Sequence, residues 1–360
     1  MNTAPTSTSR ITPTTRASRI PSHSISCMVS ACYVARARIT PAPAFGLARD
    51  GVPIMAGPVG ARSSEMTTET VAASYDLDPA DPVAGITDEV IARWEKDGVV
   101  MLRNALGPEW MMLLGMGLGK VLADSGMYKA TFFEGTEGEF HETVRNFDYS
   151  FEIRRLLYDS PIKKILGRFI RSENVWYYSD EFFLKSSGGA ERTPWHQDTP
   201  YYPIGGSQFA SMWISLDELK REECLEFVAG SHLGTMYDGF NPSKPDDPSS
   251  GFYGEELPIL PDIEADRESF PIVGWPVNPG DVIVSNPHII HGGGPTNLDS
   301  QRRALAVRMF GDDVVFASRP ASRPTVPMTP GLGLHLKPGD PLRSPWYPQL
   351  DPPPASERYG

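Results

Sequence analysis

Residues 193–203 read TPWHQDTPYYP and lie between two strand-like runs, Val175–Leu184 and Phe209–Leu216. Both runs are rich in aromatic and branched residues, the composition that suits a pleated, half-buried surface. On an extended chain, side chains two apart point to the same face. His196 and Asp198 can therefore face one point, and an imidazole with a carboxylate suits Fe(II). The pair is weak evidence alone, because such a dyad is frequent by chance and is more often a surface His and Asp near a turn.

Working outward, further strands are expected at Leu225–Val228, Val282–Ser285 and Ala304–Phe310, separated by the turn signals Gly205-Gly206, Gly230-Ser231 and Pro279-Gly280-Asp281. Helices are expected before them. Thr87 caps one that buries Val90, Ile91 and Trp94 and stops at Gly98. A second begins at Pro108. A third covers 161–170, with Ser160 as cap and Pro161 at its first position. Val99–Leu102 reads as a short buried strand. Helices first and strands later give a mostly β domain with N-terminal helices. Residues 238–270 read as a long loop of the lid or binding kind.

A third ligand must come from the six histidines beyond Met66. His232 sits in a tight turn, where its ring is expected on backbone. His141 and His335 lack a strand context. His288 and His291 both follow Val282–Ser285, and three apart they cannot share a strand face. Arg302, eleven residues after His291, decides for His291. A dianionic co-substrate needs a fixed cation, and a guanidinium grips a carboxylate through two parallel hydrogen bonds. Arg303 and Arg308 are the alternatives, with Arg303 facing away from Arg302.

These stretches together resemble the phytanoyl-CoA dioxygenase family of 2-oxoglutarate oxygenases. The matching segments are TDEVIARWEKDGVVMLRNAL (87–106), TPWHQDTPYYP (193–203), WISLDEL (213–219), LEFVAGSH (225–232), NPGDVIVSNPHIIHGGG (278–294) and RRALAVRMFGDD (302–313). The resemblance implies a double-stranded β-helix (jelly-roll, cupin-like) core. It implies His196, Asp198 and His291 as iron ligands, Arg302 as the co-substrate arginine and Trp213 as a residue lining the co-substrate pocket. Fe(II), 2-oxoglutarate and O2 are the implied cofactors, with succinate and CO2 released as a small molecule is hydroxylated. Related halogenases have a small residue where Asp198 stands, so hydroxylation, or another oxidation such as desaturation, is expected. Arg221-Glu222-Glu223-Cys224 departs from the small Asn-Gly-type turn of many relatives. The rival readings are a cupin-like metalloenzyme that does not use 2-oxoglutarate, which would have no use for Arg302, and a non-catalytic metal-binding scaffold.

The whole chain sets outer bounds. It has 360 residues, 40% hydrophobic, and a net charge of −12. An acidic chain without a basic stripe argues against nucleic-acid binding, and no stretch approaches the length of a membrane helix. Three cysteines, Cys27, Cys32 and Cys224, form no disulfide framework, which fits a reducing, cytoplasmic compartment. Cys224, in an apolar run, reads as a buried structural thiol. Residues 1–65 hold seven arginines and two acids, so the chain's negative charge lies beyond them. This segment reads as disordered: a transit peptide, an artefact of an upstream start codon with Met66 as the true start, or a tail. The artefact or the tail is favoured. The oxygenase domain is assigned to 66–320 and a Pro-rich tail to 321–360. Oligomeric state is not legible.

Overall fold

The computed structural model describes residues 73–123, 129–132, 140–185, 192–239, 251–252, 256–297, 300–319 and 332–354. The expectations for residues 1–65 lie outside these.

The chain opens with β1 (Ser74–Asp76), α1 (Asp88–Asp97), β2 (Val99–Arg103) and α2 (Pro108–Ala123), then β3 (Lys129–Phe132) and β4 (Phe140–Val144). Two helices follow, α3 (Phe151–Asp159) and α4 (Ile162–Phe169), then β5 (Val175–Lys185), β6 (Thr193–His196), β7 (Ile204–Gly205) and β8 (Phe209–Ser215). Next come β9 (Leu225–Val228), β10 (Ile272–Val273), β11 (Val282–Ser285), β12 (His291–Gly293) and β13 (Arg302–Phe310). β14 (Val315–Phe316), α5 (Leu332–His335) and β15 (Gln349–Asp351) complete the order.

Local chemistry sets the helix ends. Thr87 accepts a hydrogen bond from Val90 N, and Gly98 closes α1 at φ 80°, where an L side chain would be strained. The cap contributes about 1 kcal/mol. The expected third helix is shifted by one residue. Pro161 is its cap rather than its first turn, because Ser160 already ends α3. The sequence reading missed α3, although Ser150 caps it and Ile153, Leu156 and Leu157 form its buried stripe.

Two sheets carry the architecture. The larger runs β1-β2-β11-β8-β13-β5-β4-β3, with β15 also paired to β5; the smaller runs β10-β9-β12-β6. One face of the larger sheet, with Met212, Ile214, Val284, Leu305 and Val307, packs on the helices. The opposite face presents Trp213, Ile283, Ala304 and Ala306 to Cys224, Phe227 and Val273 of the smaller sheet and its flanking turn. Strand alternation then assigns the inner face. Arg302 lies opposite Lys185, and Ala306 opposite both Glu181 and Trp213. Arg308 lies opposite Ser179 and Ser211. Residues 332–354, taken from sequence as part of the tail, bury Leu342, Tyr347 and Leu350. Among its described residues, the span 238–270 contains no α-helix or strand and has one 3-10 turn, Arg267–Ser269. No described helix is long and apolar enough to cross a membrane.

Candidate metal centre

β6 and β12 are neighbours, and their register places His291 directly opposite His196. The ring centroids are 4.3 Å apart. Asp198 follows β6 on a turn whose backbone is tied to the loop before His291, since Asp198 N and Thr199 N both donate to Pro287 O. One atom from each of His196, Asp198 and His291 lies within 4.8 Å of the others. Asp198 Oδ1 is 3.5 Å from His196 Nε2 and 3.8 Å from His291 Nε2.

The donor chemistry fits a metal. His196 Nδ1 lies 2.8 Å from Pro194 O, and His291 Nδ1 lies 3.1 Å from Ile289 O. A carbonyl only accepts, so each Nδ1 carries the hydrogen and each Nε2 turns its lone pair toward the shared point. The Phe227 ring stacks on His291 at 5.8 Å and fixes its plane. Burial, reinforced by His196, pulls the His291 pKa down to about 4, so the ring stays neutral at ordinary pH. Burial alone would raise the Asp198 pKa, but Arg308 and the two imidazoles hold its carboxyl well below the usual range. Two imidazoles and one carboxylate form the facial set that suits Fe(II) and leaves positions open.

The other histidines go elsewhere. His232 bonds the Glu95 carbonyl at 3.0 Å, as its turn suggested. His288 faces the Gly234 carbonyl at 3.4 Å. His335 ends α5 and is exposed. His141 does have a strand context, on β4. The sequence reading missed that strand, which has only five residues, FHETV.

Arg302 is buried on the inner face, at the start of β13. Its Nη1 donates to Glu223 O at 2.6 Å and Gly294 O at 3.1 Å. The departing turn Arg221–Glu223 is a 3-10 turn, so it supplies one of these carbonyls. Gly293 leaves space for the arginine, because a Cβ there would lie 3.1 Å from Arg302 Nη2. Arg303 faces the other way and pairs with Asp217 at 2.6 Å. Trp213 lies on the inner face opposite Ala306. Cys224 is buried, and burial pushes its thiol up to about 11, which leaves no thiolate for nucleophilic work.

Sequence reasoning missed four participants. Arg308 was weighed only as a substitute for Arg302, yet it contacts Asp198 directly. Glu181 was not singled out, although a charge inside an aromatic and apolar strand run is a recognisable signal, and Glu142 lies on the missed strand β4. Gln197, between the two dyad residues, is 2% exposed. Its side chain donates to the carbonyls of His288 and Thr235 and accepts from Tyr237 N.

A mostly β protein with a two-histidine, one-carboxylate centre between its sheets is the class these features define. The family described as phytanoyl-CoA dioxygenase (PhyH) matches residues 94–304, more than half of the chain, and the chain belongs to that family. It is 27% identical over 201 residues to a "Probable alpha-ketoglutarate-dependent hypophosphite dioxygenase" of Stutzerimonas stutzeri, covering 53% of this chain and 65% of the relative. It is 26% identical over 125 residues to a "Probable phytanoyl-CoA dioxygenase" of Caenorhabditis elegans, covering 34% of this chain and 38% of the relative. The chain therefore spans less than two-thirds of either relative. Its fold is similar to that of the non-heme alpha ketoglutarate dependent carbocyclase SnoK from nogalamycin biosynthesis. The TM-score is 0.58 at 22% identity, over 74% of this chain and 97% of that one.

Proposed function

We propose that this protein is a non-haem Fe(II)- and 2-oxoglutarate-dependent dioxygenase that oxidises a small molecule, and that its two sheets form a double-stranded β-helix (jelly-roll). The observation that carries the reading is the convergence of His196, Asp198 and His291 between the sheets. Arg302 on the same inner face supports it, as does membership of the PhyH family.

His196 Nε2, His291 Nε2 and Asp198 Oδ1 would hold the iron. The bound metal with 2-oxoglutarate would supply O2-dependent oxidation, releasing succinate and CO2. The chain's own residues bind, orient and exclude water. Arg302 grips the far carboxylate of the co-substrate, with its guanidinium plane fixed by the carbonyls of Glu223 and Gly294. Trp213 lines the same space. A carboxylate at 198, rather than a small residue, leaves no room for a halide and favours hydroxylation or desaturation.

The test is an anaerobic titration of the full chain with Fe(II) and 2-oxoglutarate, followed by visible absorbance. A weak charge-transfer band requires both metal and a two-point co-substrate. It is expected in the wild type, absent in His291→Ala and weakened in Arg302→Ala. Iron binding without a band would replace this reading with a metalloenzyme that does not use 2-oxoglutarate.

A further inference from the structure

A carboxylate has two oxygens and can take a metal with one or both. In Asp198 the two have different surroundings. Oδ1 faces both imidazoles. Oδ2 accepts from Arg308 Nε at 3.2 Å and from Nη2 at 3.1 Å. The same guanidinium uses its remaining arm, Nη1, on Glu181 Oε2 at 3.0 Å. It also lies over the Tyr202 ring, 5.5 Å from the centroid. Alternation along β13 puts Arg308 on the same face as Arg302 and Ala306, and its register with β8 runs unbroken from Ala304 to Phe310. Behind Glu181 stands buried Glu142, hydrogen-bonded to it, its pKa raised well above the usual carboxylate range by burial and by Glu181's charge.

We infer that Arg308 is a positioning residue. It clamps Asp198 Oδ2 through two donors, so that Oδ1 alone is presented to the metal, and Glu181 holds the clamp in place. This rests on the reading of His196, Asp198 and His291 as the metal-holding trio. A single-oxygen carboxylate leaves open the positions that a two-point co-substrate and O2 require.

Charge and geometry predict opposite outcomes here. Arg308 is a cation beside a cation site, so on charge alone its loss should tighten metal binding. Positioning predicts the reverse. The double variant Arg308→Met/Glu181→Gln removes one charge of each sign, which keeps the local net charge and removes the clamp.

The experiment titrates Co(II) alone into the full chain, reading affinity and the visible d–d band, with far-UV circular dichroism to confirm folding. The double variant is expected to bind Co(II) about 10- to 100-fold more weakly, the range for losing a partner that orients a ligand, and with a shifted band. Arg308→Lys, which keeps the charge but offers a point donor, should fall between. A folded double variant with wild-type affinity and band overturns the inference. If the double variant does not fold, Arg308→Lys decides, and a wild-type result there overturns the two-donor clamp. His291→Ala separates the two readings. Wild-type Co(II) binding in that variant removes the trio itself, and the clamp with it. Lost binding there together with unaltered Arg308 variants removes only the clamp.

Discussion

The two faces of the smaller sheet are built from alternating residues of the same strands, and they treat charge in opposite ways. On the outer face, opposite Gly292, Glu226 pairs with Arg267 at 2.7 Å, Arg192 at 2.8 Å and Arg221 at 3.0 Å. The Arg192 and Arg267 guanidinium groups lie over the Trp195 ring, 5.5 and 5.8 Å from its centroid, and Trp195 donates to Glu264 at 2.9 Å. On the inner face, one residue along each strand, stand His196, Phe227 and His291. There Asp198 Oδ1 is 3.5 and 3.8 Å from the two Nε2 atoms. Charges on the outer face close on each other, whereas on the inner face Asp198 closes on Arg308 with Oδ2 and turns Oδ1 to the two imidazoles, a donor set that suits a cation. Stability should therefore be concentrated on the outer face and binding on the inner.

The largest expected effect is on binding. Arg302→Ala should cost about 3–5 kcal/mol of 2-oxoglutarate affinity, measured by calorimetry with Fe(II) present, since truncating a buried charged partner has that scale. Its Co(II) affinity should stay near wild type. Glu226→Ala should do the converse. It leaves three arginines around a missing anion and should cost about 3 kcal/mol in urea unfolding, with Co(II) affinity unchanged. If Glu226→Ala weakened metal binding as strongly as it weakened the fold, the division between faces would fail.

A pH series sharpens the same contrast. Burial alone would raise the Glu226 pKa, but hydrogen bonds from Arg267, Arg221 and Arg192 outweigh it and hold it at about 2. A depressed carboxyl contributes stability that is present above its unfolded value and lost as pH falls through the folded one. The wild type should lose stability between about pH 4.5 and 2, and Glu226→Gln should flatten that slope. Glu142 has the opposite sign. Burial and the nearby Glu181 raise its pKa well above 4.5, so its stabilising form is fully present below 4.5 and lost as pH rises. Glutamine mimics the protonated acid. Glu142→Gln should therefore gain on the wild type as pH climbs above 4.5, by about 1 kcal/mol, comparable to one hydrogen bond. A loss at high pH would show that Glu142 folds as the anion.

Much of this was legible in the sequence because the relevant signals are local. Thr87 and Gly98 mark the ends of α1 through backbone chemistry that acts within four residues. The apolar runs of β5, β8, β9 and β11 carry their own pattern of branched and aromatic residues. β6 (TPWH) and β12 (HGG) were not read as strands, since neither is a run of branched or apolar residues. β4 was missed for a similar reason, and with it the place of Glu142. His196 and Asp198 were paired by strand alternation and His291 was chosen through Arg302, with the family resemblance implying the same set, because no local rule links positions so far apart. Arg308 escaped for a different reason. Alternation puts it on the same face as Arg302, but nothing local in the sequence says that its guanidinium meets Asp198, 110 residues away.

Gln197 joins its turn to the carbonyl of His288, 91 residues away in sequence. A closure of that length is costly in chain entropy and slow to find. The centre is complete only once β12 has paired with β6. Metal offered to the unfolded chain would meet only the His196–Asp198 half of its site. Refolding with and without metal should then proceed at the same rate, and the metal should act afterwards by slowing unfolding.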